Sequence, residues 1–131
     1  MSSIRILLAD DHQNVRTQIR ARLSRESDFQ IVGEAAHSEQ AIEQALAARP
    51  DVVLIDPIMR DGHGLMAVHQ IAQSLPHTAL IVLTAYSDTV LQMELRRLGV
   101  RHILDKEVAS ERLVETIRRV INQTSQGGQQ E

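Results

Sequence analysis

Cysteine and tryptophan are absent from this chain of 131 residues, and tyrosine and phenylalanine occur once each. Without cysteine there is no disulfide framework, no thiolate metal site and no cysteine nucleophile. The absence fits a reducing compartment, and a cytoplasmic location is expected. Two aromatic rings in all argue against a base-stacking surface. No apolar run approaches the ~18 residues of a membrane span, and Met1-Ser2-Ser3-Ile4-Arg5 has neither the charged nor the apolar region of a signal peptide. Membrane is therefore not an expected partner. The net charge is −3 with no basic stripe, which argues against nucleic-acid binding by this domain itself. Lysine is scarce too: thirteen of the fourteen basic residues are arginine, and the exception is Lys106.

What is present is an ordinary globular composition, 43% hydrophobic and 24% charged, of a length that suits one domain with a real core. Periodicity alternates along it. Ile4–Ala9 is a short apolar run of strand length, and Val15, Ile19 and Leu23 then recur at helical spacing, the helix ending near Glu26-Ser27-Asp28. Gln30–Ala36 is a weaker strand, followed by a helix capped by Ser38 and stopped by Pro50. Val52-Val53-Leu54-Ile55 lacks polar alternation, as a central parallel strand does. After the loop Asp61-Gly62-His63-Gly64, a helix carries Leu65, Val68, Ala72 and Leu75 to Pro76. Ala79–Leu83 is another apolar strand. Ser87 or Asp88 caps the next helix, with Gly99 as its C′ residue. Val100–Leu104 is a last strand, and Ser110 caps a helix with a stripe of Leu113, Val114, Ile117, Val120 and Ile121. The polar, aperiodic stretch 123–131 reads as a tail or the start of an interdomain linker after a domain of residues 1–122. Five strand–helix units in alternation predict an α/β layer fold with a parallel sheet. Ligands of such sheets bind at the carboxyl ends of the strands.

Those ends are chemically pointed. The strands stop at Asp10-Asp11, at Asp56, at Thr84 and just short of Lys106. In a parallel sheet that gathers three carboxylates, a hydroxyl and an ammonium on one edge. Close carboxylates resist ionising together, and a hard divalent cation such as Mg²⁺, which prefers oxygen ligands, removes the conflict. An aspartate in that setting is able to attack phosphorus and form an aspartyl phosphate. Positioning and charge neutralisation carry such a transfer. Lys106 would then offer a point charge and Thr84 a hydrogen bond to the phosphoryl oxygens. Singly, the residues have plainer readings: Asp10 and Asp11 as helix caps, Thr84 as a strand residue and Lys106 as solvated surface. The six histidines show no i, i+4 pairing and read as surface residues rather than metal ligands. Arg16, Arg20, Arg22 and Arg25 read as a solvated helix face, or as a kinase-docking or dimer surface.

Over roughly residues 4–121 the chain resembles the receiver domain of two-component response regulators. The resemblance rests on Ile6-Leu7-Leu8-Ala9-Asp10-Asp11-His12, Asp51-Val52-Val53-Leu54-Ile55-Asp56, Leu83-Thr84-Ala85 and Leu104-Asp105-Lys106 in that order. The opening Ala9-Asp10-Asp11-His12 looks most like the NarL/LuxR-type subfamily. The resemblance implies a doubly wound (βα)5 flavodoxin-like three-layer sandwich with a five-stranded parallel sheet of order 2-1-3-4-5. It implies that Asp56 accepts a phosphoryl group from a phosphohistidine on a sensor histidine kinase. It further implies that Asp10, Asp11, Asp56 and the backbone carbonyl of Ile58 hold Mg²⁺, with Thr84 and Lys106 on the phosphoryl group. Such a domain is a switch, not an enzyme on other substrates. Members of the subfamily carry a DNA-binding effector domain after the receiver, and a homodimer on activation belongs to the same expectation.

The chain departs from the family pattern in three places. Ile103 stands where the family usually has Tyr or Phe, the ring that swings inward on switching. Pro57-Ile58-Met59-Arg60 follows the acceptor where the family commonly has proline after the methionine; Pro57 has no N–H and a fixed φ, and Arg60 lies near the donor's path. Ile58 and Tyr86 occupy places that influence phosphate loss, and shielding by these side chains predicts slow self-dephosphorylation. Three other function classes are weighed: a pseudo-receiver binding module independent of phosphate, a Mg²⁺-dependent phosphohydrolase with an Asp nucleophile, and a flavin carrier. The hydrolase wants an acid two residues after the nucleophile, where Ile58 stands, and the flavin carrier wants aromatics that are missing.

Overall fold

The computed structural model describes residues 3–85, 88–107 and 109–130, with the side chains of 109–111 and 124–130 left aside. Five strands and five helices alternate: β1 (Ile4–Ala9), α1 (Gln13–Leu23), β2 (Phe29–Ala35), α2 (Ser38–Ala48), β3 (Val52–Ile55), α3 (Gly64–Ser74), β4 (Ala79–Thr84), α4 (Thr89–Arg97), β5 (His102–Asp105) and α5 (Ala109–Gln130). The strands are all parallel, in the order β2-β1-β3-β4-β5. This is the parallel α/β layering expected from the alternation, in the doubly wound order that the resemblance implied.

Side chains of successive strand residues point to opposite faces, and here both faces are buried. Leu7, Ala9, Val53, Ile55, Leu80 and Val82 meet Ala41, Ile42 and Ala45 of α2, Ala67, Val68 and Ile71 of α3, and Leu91 and Leu95 of α4. The alternate residues Ile6, Leu8, Val52, Leu54, Ile81, Leu83 and Leu104 meet Leu23 of α1 and Leu113, Ile117 and Val120 of α5. Two helix layers thus sandwich the sheet. Each fully buried Leu, Ile or Val side chain contributes roughly 1.5–3 kcal/mol, so the apolar strands bind the layers while their polar terminal residues are left for chemistry.

The loops are individually pinned. Asp88 caps α4 by accepting the Leu91 N–H at 2.7 Å, one of the two caps expected there; Ser87 lies outside the described residues. The α4 end is a Schellman motif: Gly99 adopts φ 97°, its N–H donates to the Arg96 carbonyl and that of Val100 to the Leu95 carbonyl, both at 3.0 Å. The Arg5 guanidinium donates to the Ala48 and Arg49 carbonyls at 2.7 and 3.1 Å and so closes α2 from β1. Arg118 of α5 reaches Asp28 at 2.6 Å and Glu26 at 2.8 Å and lies over the Phe29 ring.

Several sequence expectations are corrected. Ser38 is the first residue of α2 and not its cap; His37 takes that place, accepting from the Gln40 N–H. The Ser38 hydroxyl donates instead to Asp61, 2.8 Å away across the fold. The last strand begins two residues later than expected, because Val100 is used in the Schellman turn. The helical backbone of α5 continues through the polar stretch to Gln130, beyond the apolar stripe. The expected cap Ser110 has its side chain outside the described residues.

Candidate functional site

The carboxyl ends of β1, β3, β4 and β5 lie side by side. The Asp56 N–H donates to the Ala9 carbonyl and the Asp10 N–H to the Ala35 carbonyl, each at 3.0 Å, so the strand ladders run up to the acidic residues. On the far side the Lys106 N–H donates to the Thr84 carbonyl at 3.1 Å. The turn after β5 thereby aims the lysine back over the sheet.

Lys106 Nζ lies 2.6 Å from Asp10 Oδ2 and 2.6 Å from Asp56 Oδ2, with 15% of its side chain exposed. The sole lysine is the cation between two buried carboxylates. The other Asp56 oxygen, Oδ1, accepts the Ile58 N–H at 2.8 Å. Burial pushes the Asp56 carboxyl above the usual carboxylate range, against the pull of Lys106 and the Ile58 N–H. Burial would lower Lys106, but hydrogen bonds to Asp10 and Asp56 bring it above the ordinary lysine range.

Asp11 points elsewhere. Its Oδ2 accepts the Arg60 N–H at 2.8 Å and Nε–H at 3.2 Å, and Arg60 Nη2 also donates to the Asp11 carbonyl at 3.2 Å. Burial raises the Asp11 carboxyl, yet the Arg60 contacts and the neighbouring His12 hold it below the usual range. Its second oxygen, Oδ1, is buried and accepts no hydrogen bond, although His12 Nδ1 is 3.0 Å away. A buried carboxylate oxygen without a donor is costly and is the kind of group that a hard cation satisfies. Asp10, His12 and Asp56 each offer a ligand atom, all within 4.8 Å of one another. The donor set therefore fits a divalent cation.

The response regulator receiver domain family matches residues 6–118. The chain belongs to that family. Response regulator protein VraR of Staphylococcus saprophyticus is 34% identical over 122 residues, which cover 93% of this chain and 58% of VraR. The receiver domain of AraT, a response regulator from Geobacillus stearothermophilus, superposes with a TM-score of 0.83 at 32% identity, covering 95% of this chain and 97% of that one. A LuxR-family two-component response regulator from Aurantimonas gives a TM-score of 0.84 at 25% identity, with coverages of 92% and 86%. The receiver domain spans little more than half the length of its curated relatives.

Of the expected site residues, the fold brings Asp10, Asp56 and Lys106 into direct contact and places Asp11 beside them, turned toward Arg60. Thr84 ends β4 and is buried. Ile58 has an exposed side chain, and its N–H is already engaged by Asp56. The acidic pair does not cap α1, whose cap position is His12, and the His12 side chain makes no capping hydrogen bond to the helix. Ile103 packs against the core of the α2–α4 layer, and Tyr86 lies outside the described residues.

Three residues of the site escaped the sequence reading. His12 brings its Nδ1 within 3.1 Å of Asp10 Oδ1; a search for helical ligand pairs passes over it, whereas its position next to two carboxylates was a usable signal. Arg16, read as solvated, donates to the Asp10 carbonyl at 2.5 Å and pairs with Glu34, as does Arg20. Asp61 receives the Ser38 and His63 N–H groups at 2.7 and 2.9 Å, which hold its pKa down to about 2 and tie the loop after Asp56 to α2.

Proposed function

We propose that this receiver domain is a phosphorylation-controlled switch whose acceptor is Asp56. The carrying observation is the Lys106 ammonium bridging Asp10 and Asp56 at 2.6 Å each, next to the donorless buried Asp11 oxygen. An Asp56 oxygen attacks the phosphorus of a phosphohistidine on a sensor histidine kinase. The P–N bond breaks, a P–O bond forms, and the imidazole nitrogen takes the electron pair. Mg²⁺, held by Asp10, Asp11, Asp56 and the Ile58 carbonyl, would neutralise charge on the transferring group. Lys106 releases Asp56 Oδ2 for attack and follows the incoming phosphoryl oxygens as their counter-charge. Thr84, at the end of β4, donates its hydroxyl to a phosphoryl oxygen. The domain acts only on its own phosphorylation state.

The switching unit is residues 1–122, and the following stretch joins it to an output. The likeness to VraR, which is longer, and to a LuxR-family regulator supports a DNA-binding effector as that output and transcription as the process controlled, with a homodimer forming on activation. A cytoplasmic site of action follows from the kinase partnership, and no helix among the described residues is long and apolar enough to cross a membrane.

The test is intact-mass measurement after incubation with Mg²⁺ and acetyl phosphate. A phosphoryl-sized gain is expected for the wild type and not for Asp56→Asn. No adduct, together with no Mg²⁺ binding, would instead identify a phosphate-independent binding module.

A further inference from the structure

At the opposite end of the sheet, where β4 and β5 begin, a cleft of about 870 Å³ opens between the α3–β4 loop, the α4–β5 loop and α5. It is about 16 Å from the acidic site, since β4 runs five residue steps between the two. The basic residues His69, His77, Arg97, Arg101 and His102 line it, and no Asp or Glu among the described residues does. In a chain of net charge −3 this is a local reversal of sign.

Three further observations bear on its use. First, the side chains of Arg101, His69, His77 and His102 make no hydrogen bond or ion pair among the described residues. Arg97 alone in the cleft is shared, with Glu94 at 2.5 Å. Second, the loops presenting these groups are fixed. The Schellman turn at Gly99 sets Arg101 relative to Arg97, and the Thr78 hydroxyl donates to the Pro50 carbonyl at 2.8 Å beside His77. Third, His102 is half-buried, and burial together with Arg119 and Arg101 holds its imidazole below the usual range, as expected in a positive field.

We propose that this cleft is a second binding site, for a small multiply charged phosphate anion of the diphosphate class. Arginine forks match phosphate oxygens with paired N–H donors, and imidazole rings add further N–H donors. Two arginines with imidazole donors in a pocket of this size suit two linked phosphates better than one, and the volume lies within the ~300–1,000 Å³ of small-molecule sites. Binding here does not depend on phosphorylation at Asp56.

The probe is inorganic pyrophosphate, titrated in Mg²⁺-free buffer at constant ionic strength into the isotopically labelled full chain and followed by amide NMR. Saturable shifts are expected around 77–79 and 98–102, with affinity at least about fivefold higher than for orthophosphate. Arg101→Glu should weaken binding about tenfold or more, equivalent to roughly 1.4 kcal/mol, and His102→Gln less, with both variants keeping the wild-type spectrum elsewhere. Asp56→Asn should titrate like wild type. The proposal is overturned if shifts do not saturate, if orthophosphate binds equally well, if Arg101→Glu binds unchanged, or if Asp56→Asn abolishes binding.

Discussion

Replacing Lys106 by methionine keeps the length of the side chain and removes its charge, leaving Asp10 and Asp56 face to face without a cation. Each 2.6 Å contact represents gross attraction of about 6 kcal/mol at an effective dielectric constant of about 20. Desolvation of the ammonium and carboxylates cancels much of this. Deleting one partner of a buried pair has a net cost of about 3–5 kcal/mol. Lys106 keeps 15% of its side-chain exposure, so the lower end applies. A loss near 3 kcal/mol lowers the Tm of a domain this size by roughly 10 °C. With Asp56→Asn in place, a single carboxylate remains, and the same substitution should cost only about 1 kcal/mol, a coupling near 2 kcal/mol. Because burial holds the Asp56 carboxyl above its unfolded pKa, ionised Asp56 costs stability at neutral pH. Asp56→Asn alone should therefore stabilise the domain at pH 7, and the gain should vanish as the pH falls below about 4, where the unfolded carboxyl is protonated too. Urea denaturation of the four proteins without divalent cation measures the cycle. A coupling within about 0.5 kcal/mol of zero would refute the bridging role of Lys106.

The loops give further tests. A methyl group on Gly64 would sit 2.0 Å from the Pro57 carbonyl oxygen, so Gly64→Ala should cost about 1–3 kcal/mol and slow phosphorylation by acetyl phosphate through displacement of the Ile58 carbonyl; an unchanged melting curve would show that the loop yields freely. Arg60→Ala removes a positive side chain from Asp11 that is 80% exposed. It should tighten Mg²⁺ binding two- to threefold, as suits a surface pair of about 0.5 kcal/mol, and calorimetry showing weaker binding would overturn that reading. The Asp61 carboxyl, held at about 2 against 3.8, contributes stability present above about pH 4 and lost as the pH falls toward 2. The difference in urea midpoint between wild type and Asp61→Asn should accordingly narrow from pH 6 to pH 3, and a constant gap would count against it.

What was legible beforehand divides by the range of the interactions. Asp10, Asp56 and Lys106 were readable because an apolar strand that stops abruptly on a charge announces which end of the sheet the charge occupies. Gly99 was readable because the C′ position of a helix favours glycine on local grounds. Ser38 was misread because local capping rules weigh only the next few residues, while its hydroxyl partner, Asp61, comes from the loop after the third strand. Arg16 was assigned to solvent for the same reason, since its partner Glu34 is an acid that the fold brings to it, whereas His12 was passed over although its partner Asp10 lies only two residues away. The backbone course of the polar stretch after α5's apolar stripe was not legible, because without such a stripe it carries no periodic signal.

The sequence by itself determined the alternation of strands and helices, the two-sided burial of the sheet and the edge at which its chemistry lies. These follow from hydrophobic periodicity and from the rule that parallel strands end together. Only the tertiary structure decided which oxygen faces which cation: that Lys106 spans Asp10 and Asp56, that Arg60 holds one Asp11 oxygen and leaves the other bare, and that unpaired basic groups gather at the far end. Periodicity sets the face a residue occupies to within a helical turn or a strand register. A hydrogen bond or ion pair is made or lost over about an ångström, a distance that only the packing of the loops at the carboxyl edge of the sheet resolves.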